Sequence, residues 1–156
     1  WNDCGNFRDQ WVCLAGNSQS PCVYTKGMEA AEFPVRHGEG KFVAPPEVLQ
    51  TLSRNNQIVF RYADENGKPA GQKFPLNPNG SMDDIAGICD PSGRVFGLMP
   101  HPEAYNHFTN HPDWTRQKSV LKRKEGAEKA AELFKTTPVG IRLFENAVEY
   151  VKDNIL

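Results

Sequence analysis

The 156-residue sequence contains no apolar run that approaches the roughly 20 residues needed to cross a membrane. Its formal net charge is −1, so no overall excess of positive charge indicates a nucleic-acid partner or an anionic membrane surface. It also lacks a glycine-rich phosphate loop and a dinucleotide-binding glycine pattern. The length is that of one ordinary domain and is sufficient for a sizeable core.

Cysteine is scarce. The chain has four, Cys4, Cys13, Cys22 and Cys89, and no two of them form a C-x-x-C pair. Because the chain is long enough to fold without cross-links, we expect buried free thiols in a reducing cytoplasm. None of the four lies in a Gly-x-Cys-x-Gly turn between a strand and a helix, which is the arrangement that exposes an activated thiolate. Cys4, followed by Gly5, is the nearest approach to that pattern.

A stiff turn with the sequence Pro-His-Pro-Glu follows the apolar run 95–99, which we expect to be a buried strand. Proline fixes φ and lacks an N–H group, so the two prolines should end the strand and exclude a helix there. His101 and Glu103 are therefore expected at the end of a strand, where α/β proteins place their chemistry. A histidine that acts as a general base needs an acceptor on its other ring nitrogen, and Glu103 is close enough to serve.

A second candidate is the segment His37-Gly38-Glu39-Gly40, which we call the glycine loop. Two glycines around a carboxylate allow backbone N–H groups to approach a ligand closely. A plain tight turn after a strand is the alternative interpretation. The turn at Gly80 and Ser81 could also bind an anion through its N–H groups, but that signal is unspecific.

The same side chains leave two other interpretations open. His101 could be a structural turn histidine. A metal site is a further alternative, with N and O ligands from His37, Glu39, His101, Glu103, His107 and His111. Only His107 and His111 have the spacing of ligands on one helical face, and Pro112 opposes a helix there.

The hydrophobic pattern predicts one α/β domain with a mixed sheet and a helical C-terminus. Strands are expected at 7–14, 32–37 and 58–62, and a hairpin at 85–89 and 94–99, with Pro34 indicating an edge strand or a bulge. A short helix is expected over 47–52, and the basic stretch 118–129 is expected to be exposed or mobile. The last helix should begin at Thr137 and Pro138 and face a core with one apolar stripe, formed by Ile141, Phe144, Val148, Val151 and Ile155.

Three segments in order, 36–42, 77–88 and 97–103, resemble the purine-biosynthetic branch of the class I glutamine amidotransferases. The match is to the glutaminase part of phosphoribosylformylglycinamidine synthase. It covers about residues 2–103, and the last helix also fits, whereas 105–129 is less familiar and is interpreted as an insertion. The resemblance implies a flavodoxin-like fold, with residues 1–156 as the C-terminal portion of a single domain, a mixed sheet and flanking helices.

The resemblance also implies a Cys-His-Glu triad, in which His101 and Glu103 match the second and third members. The nucleophilic cysteine of the family has no counterpart in this chain, and we expect it in a part that precedes Trp1. In related amidotransferases, backbone groups at the segment like His37, Gly38 and Glu39 hold the amino-acid end of glutamine.

The implied activity is hydrolysis of glutamine to glutamate and ammonia, for the ATP-dependent amination of formylglycinamide ribonucleotide in purine biosynthesis. A synthetase subunit or domain would be the partner and would use ATP and Mg²⁺, with no cofactor in this chain. The 156 residues alone are expected to be inactive. The alternatives are a non-catalytic amidotransferase-like binding domain and, less favoured, a metal-dependent hydrolase.

Overall fold

A computed structural model describes all 156 residues, Trp1–Leu156. Five strands form one sheet in the order β2-β1-β3-β4-β5: β1 Arg8–Gly16, β2 Ala30–His37, β3 Ile58–Ala63, β4 Ile85–Cys89 and β5 Phe96–Leu98. All four neighbouring pairs are antiparallel, whereas the sequence predicted a mixed sheet. The reason is topological. β2 and β3 run in the same direction, but they are not neighbours, because β1 lies between them and is antiparallel to both. Loops rather than α-helices connect β3 to β4 and β4 to β5, so these strands also alternate in direction.

The predicted position of Pro34 on an edge strand is confirmed, because β2 is the first strand of the sheet. An edge strand tolerates a residue that has no N–H group to donate. Phe33 and Val35 on either side of it are fully buried and belong to the main hydrophobic core, together with Val12 and Leu14 of β1. The core therefore extends to the edge of the sheet.

The opposite end of the sheet differs from the prediction. The run 95–99 was expected to be a buried strand, but β5 has only three residues and is the other edge of the sheet. Val95 is 69% exposed, and Phe96 and Leu98 are half-buried. An apolar run indicates that its residues prefer burial. Whether the strand is covered by neighbouring strands depends on its place in the sheet.

Four α-helices complete the chain: α1 Pro46–Arg54, α2 Trp114–Glu125, α3 Ala127–Glu132 and α4 Val139–Asn154. The predicted helix at 47–52 is confirmed as α1, with proline at its first position. The basic stretch 118–129 is exposed, as expected, but it is helical, because its Lys, Arg, Glu, Leu and Ala are strong helix formers. No helix in the chain combines the length and the apolar character needed to span a membrane.

The last helix, α4, forms where the sequence predicted it but presents a different face to the core. Pro138 is its N-cap residue, and no side chain caps the helix. Leu143 and Asn146 are buried, whereas most of the predicted apolar stripe is exposed: Phe144, Val148, Val151 and Ile155. The Asn146 amide donates to the carbonyl oxygens of Tyr24 and Lys26 at 2.8 and 3.0 Å, so hydrogen bonding sets the rotation of the helix.

Candidate functional site

His101 and Glu103 form a direct pair, as predicted, and we call them the dyad. His101 Nδ1 lies 2.7 Å from Glu103 Oε1. The expectation that proline excludes a helix there is wrong in detail: residues Pro102–Ala104 form a single 3-10 turn. Proline is tolerated at the first position of such a turn, because the N–H group it lacks has no partner there. The turn folds Glu103 back onto the imidazole.

The carboxylate of the dyad is held in its ionised form. Partial burial is the largest single effect and acts to raise the pKa of Glu103. The hydrogen bond with His101, a backbone hydrogen bond and the charge of His101 together outweigh it, so the pKa lies below the ordinary value. The positive charge of Arg36 acts in the same direction. Glu103 is therefore available as the acceptor that orients the ring of His101.

Backbone contacts on two sides hold the dyad in place. The His101 N–H donates to the carbonyl oxygen of Pro34 at 2.8 Å, on the free side of edge strand β2. Pro100, just before it, is fully buried. On the other side, Gly140 of α4 packs so closely that a Cβ atom there would overlap the carbonyl oxygens of Pro102 and Tyr105. A groove of about 300 Å³ lies beside the dyad, between β5 and α4.

We expect Gly140→Ala to destabilise the chain. Alanine is the better helix former, but its Cβ would collide with two backbone carbonyl groups that cannot rotate away. The expected loss in free energy of unfolding is about 1–3 kcal/mol, measured by urea denaturation. Gly97→Ala is the matched control, since the nearest atom to its Cβ would be 4.0 Å away. Equal stability of the two variants would contradict the close approach at Gly140.

The glycine loop follows β2 directly, and its histidine is not exposed to a ligand. His37 is buried, and both ring nitrogens contact asparagine side chains: Nδ1 lies 3.0 Å from Asn2 Oδ1, and Nε2 lies 3.3 Å from Asn79 Nδ2. The backbone N–H groups of Gly38 and Glu39, by contrast, donate no hydrogen bond within the chain. The loop thus offers backbone groups rather than the imidazole.

The environment of His37 favours its neutral form. Burial lowers its pKa below the ordinary value of 6.5, and the nearby His101 adds to that effect. Because the unfolded chain then binds the proton more tightly than the folded chain does, acidification favours unfolding. The contribution of His37 to stability is complete above pH 6.5 and declines as the pH falls toward the lower folded-state pKa.

We therefore expect the free energy of unfolding of the wild-type chain to fall between pH 7 and pH 5, to a degree that His37→Gln reduces. Urea denaturation at a series of pH values measures this change. His107→Gln is the control, since His107 is exposed and lies on a separate turn. An identical pH dependence in wild type and His37→Gln would show that His37 does not carry the linkage.

The turn that contains Asn77, Asn79 and Ser81 forms the support of the glycine loop. Asn77, Asn79 and Ser81 are almost completely buried and hydrogen-bonded to one another. The anion site suggested at Gly80 and Ser81 is wrong, because both N–H groups donate to asparagine side-chain oxygens. Asn-Pro-Asn-Gly-Ser is a strong turn signal, and nothing in it indicates burial. The repeated asparagine is the feature of this segment that could have indicated a hydrogen-bond network.

Of the side chains considered for a metal site, the structure brings only His101 and Glu103 into direct contact. No group of three or more His, Cys, Asp and Glu residues is placed to hold a metal ion. His107 Nδ1 contacts the Thr109 hydroxyl, whereas His111 is buried with its Nε2 3.1 Å from Glu32 Oε2, outside hydrogen-bond geometry. The two histidines thus have separate local roles.

None of the four cysteines forms a hydrogen bond with His101 or Glu103. Cys22 and Cys89 are buried, as expected, and burial raises the pKa of both thiols. Cys13 is half-buried, and its pKa is also raised, by burial and then by the carboxylate of Glu32. Cys4 is exposed, contrary to the expectation of burial, because it lies on an N-terminal turn.

The chain matches a known family over almost its whole length. Residues 1–151 fit the family described as the CobB/CobQ-like glutamine amidotransferase domain, and the chain therefore belongs to that family. The antiparallel sheet with flanking helices is its fold as seen in this chain.

More specific likenesses point to one branch of the family. The phosphoribosylformylglycinamidine synthase subunit PurQ of Methanococcus maripaludis strain C7 is 42% identical over 149 residues, which are 96% of this chain and 53% of that protein. PurQ of Dehalococcoides mccartyi strain 195 is 40% identical over 151 residues, 97% of this chain and 51% of that protein. A solved structure, "Structure of PurLQS from Thermotoga maritima", matches with a TM-score of 0.51 and 26% identity, over 96% of this chain and 50% of that one. The chain spans about half the length of the curated relatives it matches.

Proposed function

We propose that this chain supplies the histidine, the carboxylate and the substrate loop of a glutaminase site. The whole protein would hydrolyse glutamine to glutamate and ammonia for phosphoribosylformylglycinamidine synthase, in purine biosynthesis. The observation that carries the proposal is the 2.7 Å contact between His101 Nδ1 and Glu103 Oε1. Family membership and the PurQ relatives support the same activity.

The dyad has the geometry for proton transfer. With Nδ1 held by Glu103, the other ring nitrogen of His101, Nε2, makes no hydrogen bond within the chain and is free to face reacting groups. In the proposed reaction a cysteine thiolate attacks the amide carbon of glutamine, and His101 gives its proton to the departing ammonia. Water then attacks the glutamyl thioester while His101 takes up a proton, which releases glutamate and the thiol.

The thiolate needs a source other than Cys13, Cys22 and Cys89, whose pKa values are raised and whose contacts do not include the dyad. We propose that a nucleophile elbow in another part of the same protein supplies it, so that residues 1–156 form the C-terminal portion of one amidotransferase domain. Four free thiols fit a reducing compartment, and we place the protein in the cytoplasm.

The ammonia requires an acceptor site, which we propose to be a synthetase subunit or domain that uses ATP and Mg²⁺ to activate formylglycinamide ribonucleotide. The matched solved structure is titled as a PurLQS assembly, which supports a multi-subunit arrangement. The chain's own contribution is to bind glutamine and to move protons at His101.

The test uses the whole protein assembled with its synthetase. With amide-¹⁵N glutamine, ATP and formylglycinamide ribonucleotide, we expect ¹⁵N in the aminated product, and we expect no ammonia release from the 156 residues alone. Absence of glutamine hydrolysis by the assembly would favour the non-catalytic binding domain instead. Ammonia release by the isolated chain that depends on His101 would show that one of its own cysteines is the nucleophile.

A further inference from the structure

The glycine loop is tied to the rest of the chain through two asparagine side chains, and the hydrogen bonds fix how each amide is oriented. Asn2 Nδ2 donates to the carbonyl oxygens of His37 and Asn6 at 2.8 and 2.9 Å. A carbonyl oxygen only accepts, so the nitrogen of the Asn2 amide must be on that side. Its Oδ1 therefore faces His37 Nδ1 at 3.0 Å and the N–H of Gly40 at 3.1 Å. It follows that His37 carries its ring hydrogen on Nδ1.

The second asparagine confirms this assignment from the other side of the ring. Asn79 Oδ1 accepts from the N–H of Ser81 at 3.0 Å and from its hydroxyl at 2.7 Å. Asn79 Nδ2 therefore lies toward the Gly40 carbonyl at 2.8 Å, the Tyr62 hydroxyl at 3.1 Å and His37 Nε2 at 3.3 Å. The Asn79 amide has two hydrogens for these three acceptors, so its contact with Nε2 is a shared one. A donor amide on this side favours an Nε2 that carries no hydrogen, in agreement with the hydrogen placed on Nδ1.

The two asparagines also bond to backbone groups of the loop, namely the carbonyl oxygens of His37, Gly38 and Gly40 and the N–H of Gly40. Besides the contacts above, the N–H of Asn2 donates to the Gly38 carbonyl at 2.9 Å. The loop groups without a hydrogen bond in the chain are the Glu39 carbonyl and the N–H groups of Gly38 and Glu39, which are adjacent in the chain. Two neighbouring N–H groups on a fixed backbone suit a carboxylate, which accepts a hydrogen bond at each oxygen.

We propose that Asn2 and Asn79 are positioning residues, which use the Nδ1-protonated ring of His37 as a spacer to hold Gly38 and Glu39 ready to bind the α-carboxylate of the amino-acid substrate. This inference rests on the proposed glutaminase function. In this proposal the side chain of His37 is structural and does not contact the substrate. Substrate would contact only the backbone of the loop, so changes at Asn79 affect glutamine binding rather than the chemical step at His101.

The test is Asn79→Asp in the assembled enzyme, a substitution of nearly equal shape that removes the donor amide. The substitution removes the hydrogen bonds to the Gly40 carbonyl and to His37 Nε2. It also places a carboxylate beside Nε2, and this carboxylate favours a proton on that nitrogen. We expect KM for glutamine to rise about 10- to 100-fold, with kcat within about threefold of wild type, since the dyad is untouched. Asn66→Asp, on an exposed turn, is the control for the charge change and should leave both constants unchanged.

A second measurement tests the wild-type protein directly and the variant beside it. ¹⁵N chemical shifts of the His37 ring in the wild-type protein at pH 8 should show hydrogen on Nδ1 and none on Nε2, and in Asn79→Asp hydrogen should appear on Nε2. Hydrogen on Nε2 in wild type, or an unchanged KM in Asn79→Asp, overturns the positioning role while the glutaminase function stands. A wild-type enzyme that fails to hydrolyse glutamine is a different result, which removes the proposed function itself.

Discussion

Replacing His101 with alanine in the assembled enzyme is expected to lower glutamine-dependent turnover by about 100- to 10,000-fold, the range that general acid–base catalysis contributes. In the proposed reaction His101 transfers protons in both half-reactions, and its Nε2 is the ring nitrogen that makes no hydrogen bond within the chain. Turnover is measured as glutamate formed with the nucleotide substrate and ATP present. The same variant supplied with ammonium salt should still aminate the nucleotide, because in the proposed arrangement the synthetase site is separate from His101.

The matched control for this prediction is His107→Ala. His107 is exposed and, like His101, lies at the start of a 3-10 turn, but its ring contacts Thr109 rather than a carboxylate. Its glutamine-dependent rate should stay near that of wild type. Loss of ammonium-dependent activity in His101→Ala would indicate misfolding instead of a lost proton transfer. Full glutamine-dependent activity in that variant would exclude His101 from the chemistry.

The largest expected effect on stability is that of Phe33→Ala, about 3–5 kcal/mol in the free energy of unfolding. Phe33 is fully buried in the main core, and the surrounding strands cannot close the space that its ring fills. Its neighbour Pro34 accepts the hydrogen bond from the His101 N–H, so a cavity at this position also weakens the anchor of the dyad. Urea or guanidinium denaturation measures the loss.

Phe7→Ala provides the comparison, because Phe7 is 64% exposed just before β1. Its cost should stay within about 0.5 kcal/mol. Faster hydrogen exchange at the His101 amide is expected in Phe33→Ala and not in Phe7→Ala. A loss below about 1 kcal/mol in Phe33→Ala would mean that the core does not reach the edge strand as described.

The dyad could be predicted from the sequence because its interaction is local. His101 and Glu103 are two residues apart, and the prolines around them leave the backbone few conformations, so the pairing needs little help from the rest of the chain. The strands at β1, β2 and β3 were likewise predicted from alternating or continuous apolar residues. The edge position of Pro34 followed from its missing N–H group, which is a property of the residue alone.

The support of the glycine loop could not be predicted in this way. Asn2, His37 and Asn79 lie far apart in the sequence, and each is a polar residue whose ordinary place is the surface. They become buried only because the fold brings three turns together, and each then meets the others' hydrogen-bonding groups. Turn propensity indicates where a chain bends, but it carries no information about what packs against the bend.

The sequence by itself thus determined the elements with local causes: the proline-flanked His101–Glu103 pair, the glycine loop as a turn at the end of a strand, and the strands and helices with clear periodicity. Only the tertiary structure decided what depends on distant neighbours. It left β5 at an edge, rotated α4 onto Asn146 and buried the imidazole of His37 between two asparagines. The physical reason is that the burial and the hydrogen-bond partners of a side chain depend on which distant segment packs against it. Backbone restriction and hydrophobic periodicity, by contrast, depend only on the residues of one segment.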